Sequence, residues 1–112
     1  MKLTELEPTF LKWKGDSDSE KTDVFAEADG VLFLCPKCFR KNRGSAGTHA
    51  IICWVPKVPQ TTTPRPGRWN LVGSGYGDLT LVNGSSSVLV RGEPGQPDHW
   101  HGFVRNGEVT DC

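Results

Sequence analysis

The sequence predicts an all-β domain with mainly antiparallel strands and long loops. Apolar segments rich in β-branched residues recur along the chain, and turn residues separate them. Thirteen glycines and eight prolines interrupt any long helical pattern. Near the end of the chain, Asn106 and Gly107 separate two strand-like segments, and both residues suit the positive-φ positions of a type I′ hairpin turn.

Size and charge restrict the class of protein. Thirteen Lys and Arg residues balance thirteen Asp and Glu residues, so net charge gives no argument for nucleic acid or an anionic membrane. No apolar run is long enough to cross a bilayer, and residues 1–5 lack the apolar centre of a signal peptide. We therefore expect one cytoplasmic domain, residues 1–112, with four cysteines that stay reduced unless a metal holds them.

The strand-like segments are joined by loops of two kinds. Residues 14–21 are acidic and serine-rich, and residues 56–67 contain four prolines, so we predict flexible loops at both places. Residues 73–77 are predicted to be a glycine turn, because they lack the Lys and Ser/Thr of a phosphate-binding loop. Residues 79–82 and 87–90 are expected to pair as a hairpin with a longer connection.

Cys35 and Cys38 form the strongest functional motif, a Cys-x-x-Cys pair that follows the apolar run 31–34. A strand that delivers two thiols into a tight turn lets both sulfurs face one ion, while turn amides donate hydrogen bonds to them. This spacing is typical of a zinc knuckle and predicts one Zn²⁺ per chain. Two further ligands must come from other parts of the sequence.

Two arrangements compete for those remaining ligands. A local arrangement uses His49 and Cys53, but the residues between them favour a strand, which would separate the two side chains by roughly 13 Å. A distant arrangement uses His99 and His101, which would share one strand face about 6.6 Å apart. We therefore predict the distant arrangement, with Cys53 in the core. The predicted ligands are Cys35, Cys38, His99 and His101.

Several segments resemble a family of small bacteriophage and prophage proteins, and the resemblance covers nearly the whole chain. The segments are CPKCF, GTHAIICW, the following RW, DLTLV, SSVLV and the terminal WHGFVRNGEV. Related domains share the CPxC strand and close with C-x-W-H or C-x-S-H, an aromatic residue and NG. Asp98 stands where that pattern has its cysteine, and Asp98 and His101 repeat the spacing of the first pair. The fourth ligand is therefore either Asp98 or His99.

The resemblance implies a phage- or prophage-encoded protein in a host cell and assigns it no activity. Some relatives carry the label ammonia monooxygenase, an enzyme that works in a membrane with copper. We reject that label because this chain has no apolar run of membrane-spanning length. More loosely, the chain is similar to zinc β-tent domains, which implies a fold and no activity.

The leading functional hypothesis is a non-enzymatic, zinc-stabilised β module that binds a protein or small-molecule partner. No complete catalytic set remains once the ligands are assigned. One alternative is a zinc-dependent, hydrolase-like enzyme with a metal position open to water. Another is a small-ligand binder with Trp54, Trp69 and Trp100 as aromatic walls, although core packing is the simpler explanation for each indole. The roles of His49 and Cys112 stay open, and the basic residues near 37–43 indicate a solvated turn rather than a nucleic-acid site.

Overall fold

The computed structural model describes residues 1–16, 18–84 and 86–112. Within these residues the fold is mostly antiparallel β-sheet with one α-helix, so the predicted all-β class is confirmed. The helix α1 spans Pro36–Asn42, and two short 3₁₀ turns span Leu3–Leu6 and Phe25–Glu27. The strands are β1 Thr9–Gly15, β2 Asp18–Thr22, β3 Gly30–Leu34, β4 Ala50–Trp54, β5 Asn70–Val72, β6 Thr80–Val82, β7 Ser87–Val90, β8 Trp100–Arg105 and β9 Glu108–Asp111.

The strands form three antiparallel sheets with the orders β2-β1-β3-β4, β5-β6 and β7-β8-β9. The turn between β8 and β9 contains Asn106 and Gly107, whose φ angles are 49° and 75°. Positive φ at both positions is what a type I′ turn requires, so the predicted closing hairpin is confirmed. Its pairing fixes the position of the chain just before β8, which is where His99 lies.

Two predictions about strand pairing are wrong. Residues 14–16 and 18–21 belong to the β1–β2 hairpin rather than to a loop, and Ser17 lies outside the described residues. Strand β2 is largely exposed and polar, so its composition resembles that of a loop although its backbone is paired. Residues 79–82 and 87–90 do not pair with each other, because β6 pairs with β5 and β7 pairs with β8.

Residues 56–67 contain no strand or helix, as expected from their prolines. The predicted glycine turn at 73–77 connects β5 to β6, and the carboxylate of Asp78 accepts hydrogen bonds from the backbone N–H groups of Ser74 and Gly75. No helix in the described part of the chain is both long and apolar enough to cross a membrane.

The main core takes side chains from all three sheets. Cys53 on β4 has no exposed surface and packs there, which confirms the prediction that it is a buried core residue. A smaller apolar cluster lies on the other face of the first sheet and contains Leu11, Trp54 and Val58. Around β3 and β4 the first sheet is therefore packed on both faces, and these two strands lead into the metal centre.

Candidate metal centre

Cys35 and Cys38 lie where β3 passes into helix α1. Cys35 has extended backbone angles and occupies the N-cap position, and Pro36 follows at the first helical position, where its fixed φ and missing N–H suit a helix start. The predicted tight turn is therefore the first turn of a short helix. Because residues three apart lie on the same helix face, this turn brings the two sulfurs to the same side.

His49 comes to the site through the register of β3 and β4. Leu34 pairs with Ala50, so the next pair along the antiparallel ladder is Cys35 with His49. The backbone N–H of Cys35 donates to the carbonyl of His49 at 2.9 Å. His49 is thus held directly across from the first cysteine, although it is fourteen positions further along the sequence.

His99 reaches the same point from the other end of the chain. It immediately precedes β8, and its backbone N–H donates to the carbonyl of Val90 at 2.8 Å. The next residue, Trp100, is buried, and its indole N–H donates to a carboxylate oxygen of Asp111 at 2.8 Å. These contacts anchor the start of β8 and leave His99 on the face opposite to the buried indole.

The four side chains converge on one point. Nε2 of His99 lies 3.3 Å from Sγ of Cys35, 3.2 Å from Sγ of Cys38 and 2.9 Å from Nε2 of His49. All four ligand atoms lie within 4.8 Å of one another. A single imidazole nitrogen carries either one proton or one lone pair, so it can make at most one normal hydrogen bond among these three contacts. Hydrogen bonding therefore does not explain the cluster, whereas a metal ion that all four residues could hold would do so.

The distances are close to those around a tetrahedral ion. With bonds of about 2.3 Å to sulfur and about 2.0–2.1 Å to nitrogen, tetrahedral geometry places neighbouring ligand atoms about 3.3–3.8 Å apart. The contacts of 2.9–3.3 Å at His99 lie at or below that range, whereas the four ligand atoms together lie up to 4.8 Å apart. Cys35, Cys38, His49 and His99 could therefore hold a metal ion, and all four cysteines of the chain are free thiols.

Burial opposes the thiolate form of Cys35 and favours the neutral imidazole of His99. Burial raises the pKa of the Cys35 thiol, and hydrogen bonds from the backbone of Cys38 and Lys37 oppose this rise. Burial lowers the pKa of His99, as do the positive charges of His49 and Lys37. A neutral imidazole is the form that binds a metal. Cys35 is fully buried whereas His49 is exposed, so the centre lies at the surface with its cysteine side covered.

The structure brings together three of the four predicted ligands, namely Cys35, Cys38 and His99. His101 is the correction: it is exposed, it pairs with Leu89 within the third sheet, and it is not in the cluster. It shares a strand face with His99, but the rise of two residues carries it about 6.6 Å along β8. His49 occupies the fourth position instead.

The signal that could have identified His49 is cross-strand register. The separation of His49 and Cys53 along one strand does not decide whether His49 is a ligand, because Cys35 lies on the neighbouring strand opposite His49. Excluding Cys53 was correct, since it is buried in the core. Asp98 is exposed and outside the cluster, and Cys112 is exposed with its backbone N–H bonded to the carbonyl of His101.

The three tryptophans do not form a shared aromatic wall. Trp54 packs in the smaller apolar cluster, whereas Trp69 and Trp100 pack in the main core. Each indole N–H already donates to an oxygen of the protein, those of Thr63, Ser87 and Asp111 respectively. Core packing is therefore the better explanation for Trp54 and Trp100, while Trp69 also lines a surface cleft.

Comparison with known proteins gave no match to a family model, to a curated protein or to a solved structure. The resemblance to phage and prophage proteins accordingly stays a prediction, and the functional argument rests on the geometry of the metal centre.

Proposed function

We propose that this chain is a non-enzymatic β module that zinc stabilises and that binds a partner molecule. The observation that carries the proposal is the convergence of two sulfurs and two imidazole nitrogens within 4.8 Å of one another. The four ligands come from three places that the sequence keeps far apart: the β3–α1 junction, the start of β4 and the start of β8. An ion at this point ties all three together.

Zinc is the metal that suits this ligand set best. Two thiolates and two neutral imidazoles make a tetrahedral sulfur–nitrogen set, which is typical of zinc, whereas magnesium and calcium prefer oxygen ligands. Two thiolates also balance the charge of a divalent cation, so the loaded centre adds no net charge to a half-buried site. Backbone hydrogen bonds from Lys37 and Cys38, in the first turn of α1, support the sulfur of Cys35.

Four protein ligands indicate a structural rather than a catalytic role. A tetrahedral zinc with four side-chain ligands has no position left for the water that a hydrolase activates. Structural zinc in small peptides binds with about 10–16 kcal/mol of apparent free energy, which is comparable to the whole stability of a small domain. The hydrolase-like alternative is therefore weaker than the structural one.

The partner and the biological context are also proposed. The likeness of CPKCF and WHGFVRNGEV to phage and prophage proteins supports a role in an infected or prophage-carrying bacterium. The balanced net charge supports a protein or small-molecule partner over nucleic acid.

Metal removal under controlled conditions tests the proposal. Native mass spectrometry of the purified chain should show one zinc ion per molecule. Chelation should abolish the near-ultraviolet circular dichroism of the buried tryptophans, and added zinc should restore it, because the ion joins three separate segments. A metal-free chain with an unchanged spectrum and unchanged melting temperature would contradict the proposal. Hydrolysis of an activated ester that depends on zinc would instead support the enzyme alternative.

A further inference from the structure

A cleft of about 430 Å³ opens beside the metal centre. Its walls come from β4, from β7 and from the loop around residues 64–67, and Trp69 contributes an aromatic surface. Within the described residues, β4 is an edge strand of the first sheet and β7 is an edge strand of the third. The cleft therefore lies between two sheet edges, where backbone N–H and C=O groups face outward.

The pairing pattern shows which peptide groups of β4 face the cleft. Cys35 and His49 form a hydrogen-bonded pair, and so do Asp29 and Val55. These two pairs are an even number of positions apart along the ladder, so the alternation of hydrogen-bonded and non-hydrogen-bonded pairs is the same at both ends. In an antiparallel ladder the intervening pairs direct their N–H and C=O groups away from the partner strand. Ala50 and Ile52 therefore direct these groups away from β3, and both residues line the cleft.

The same reasoning applies to β7. The backbone N–H of Cys112 donates to His101, so His101 directs its peptide groups towards β9. Trp100 and Gly102 then direct theirs towards β7, where they face Val90 and Val88. Leu89, between these two valines, directs its peptide groups away from β8, and 39% of its surface is exposed beside the cleft.

The loop that closes the cleft is held by Arg68. Its guanidinium donates five hydrogen bonds of 2.7–2.9 Å to backbone carbonyls, which a planar fork of five N–H groups can satisfy at once. The acceptors are Val58, Pro59, Thr62, Pro64 and Gly67. A loop fixed in this way presents a preformed wall, so a ligand does not have to order it on binding.

Charge restricts the occupant further. Arg65 and Arg91 line the cleft, and the described residues around it include no aspartate or glutamate. Both arginines are exposed. An occupant with a carboxylate would therefore meet two unopposed guanidinium groups, each able to bind it through two parallel hydrogen bonds.

We propose that this cleft binds an extended peptide segment of a partner protein that carries a carboxylate, by strand addition to the edge of β4. Ala50 and Ile52 provide the main-chain hydrogen bonds, Trp69 and Leu89 contact alternate side chains, and Arg65 and Arg91 bind the carboxylate. The outward groups of Ala50 and Ile52 lie about 6.6 Å apart, so about three residues of the occupant pair with β4. The inference deepens the proposed partner-binding function and rests on it.

Peptide selection on the zinc-loaded protein tests this inference. A displayed library of random hexapeptides, fused through their carboxyl ends so that only Asp and Glu supply carboxylates, should yield sequences that alternate apolar and polar residues and contain Asp or Glu. A synthetic peptide of the enriched sequence should shift the amide resonances of Ala50, Ile52 and Leu89 in a ¹⁵N NMR titration. Isothermal titration calorimetry of the same peptide gives the affinity for the wild-type chain and for each variant.

Matched variants separate the two sources of affinity. Ala50→Pro removes an outward N–H without breaking a bond to β3, so it should lower the affinity for the peptide about fivefold. Ala50→Val retains the N–H and should leave the affinity unchanged. The double variant Arg65→Gln and Arg91→Gln should lower the affinity for the peptide at least tenfold. The double variant Lys14→Gln and Lys21→Gln, in the β1–β2 hairpin away from β4, removes the same number of positive charges and controls for net charge.

Three results would overturn the inference. The first is a library that yields no enriched carboxylate-bearing sequence. The second is an enriched peptide that binds the proline or glutamine variants as tightly as the wild type. The third is a dimer in sedimentation that the proline or glutamine variants dissociate, since a second copy of the chain would then occupy the cleft. The zinc content of each sample keeps the two proposals distinguishable. A zinc-loaded chain that binds no peptide contradicts only the docking site, and a metal-free folded chain that binds the peptide contradicts only the zinc centre.

Discussion

Replacing His99 by alanine should weaken zinc binding strongly, whereas replacing His101 by alanine should not. The two histidines belong to the same strand region, yet only Nε2 of His99 lies within 3.3 Å of three other ligand atoms. If four ligands share an apparent binding free energy of about 12 kcal/mol equally, each contributes about 3 kcal/mol. Loss of one ligand then corresponds to roughly a 100-fold decrease in zinc affinity.

The assay is competition with a chromophoric zinc chelator, combined with thermal unfolding at a fixed concentration of free zinc. When zinc is in excess, a 100-fold weaker affinity lowers the apparent stability by about 2.7 kcal/mol. For a chain of this size that loss lowers Tm by roughly 10 °C. His101→Ala is the matched control, because the exposed imidazole it removes should change Tm by only about 2 °C or less. Equal decreases in zinc affinity and in Tm for the two variants would refute the assignment of His99 as a ligand.

Three further predictions concern residues outside the metal cluster. Cys53→Ala should lower stability by about 1–2 kcal/mol while native mass spectrometry still finds the metal, because this fully buried thiol packs in the core. Arg68→Lys should cost about 1–3 kcal/mol in chemical denaturation, and Arg65→Lys much less, because only Arg68 donates to five carbonyls. Hydrogen bonds from the backbone and hydroxyl of Ser74 hold the pKa of Asp78 below its ordinary value. The stabilisation they provide is therefore complete above about pH 3.9 and is lost as the pH falls through the folded pKa, which an NMR titration of the carboxyl group will show.

Local signals in the sequence predicted the features that depend on neighbouring residues. The Cys35–Cys38 spacing identified half of the metal centre, and Asn106-Gly107 identified the closing hairpin, because each depends on a few adjacent positions. His99 could also be predicted from the sequence, since a histidine just before a strong hairpin has a fixed position. These features need no knowledge of how distant strands are aligned.

Register between strands was the information that the sequence did not make explicit. His49 enters the site only because Leu34 pairs with Ala50, and a shift of one residue would place it elsewhere. The β1–β2 hairpin was also missed, since exposed polar strands resemble loops in composition. The cleft depends on the edges of two different sheets, and no local pattern specifies which strands become edges.

X-ray absorption at the zinc edge tests the central claim most directly, because it counts the atoms around the ion. The proposed centre of Cys35, Cys38, His49 and His99 predicts two sulfur atoms at about 2.3 Å and two imidazole nitrogens at about 2.0–2.1 Å. His49→Ala should halve the multiple-scattering signal of the imidazole rings without changing the sulfur count, because a water oxygen takes the place of the lost nitrogen. A wild-type spectrum with a different sulfur count, or with imidazole scattering that His49→Ala leaves unchanged, would contradict the account.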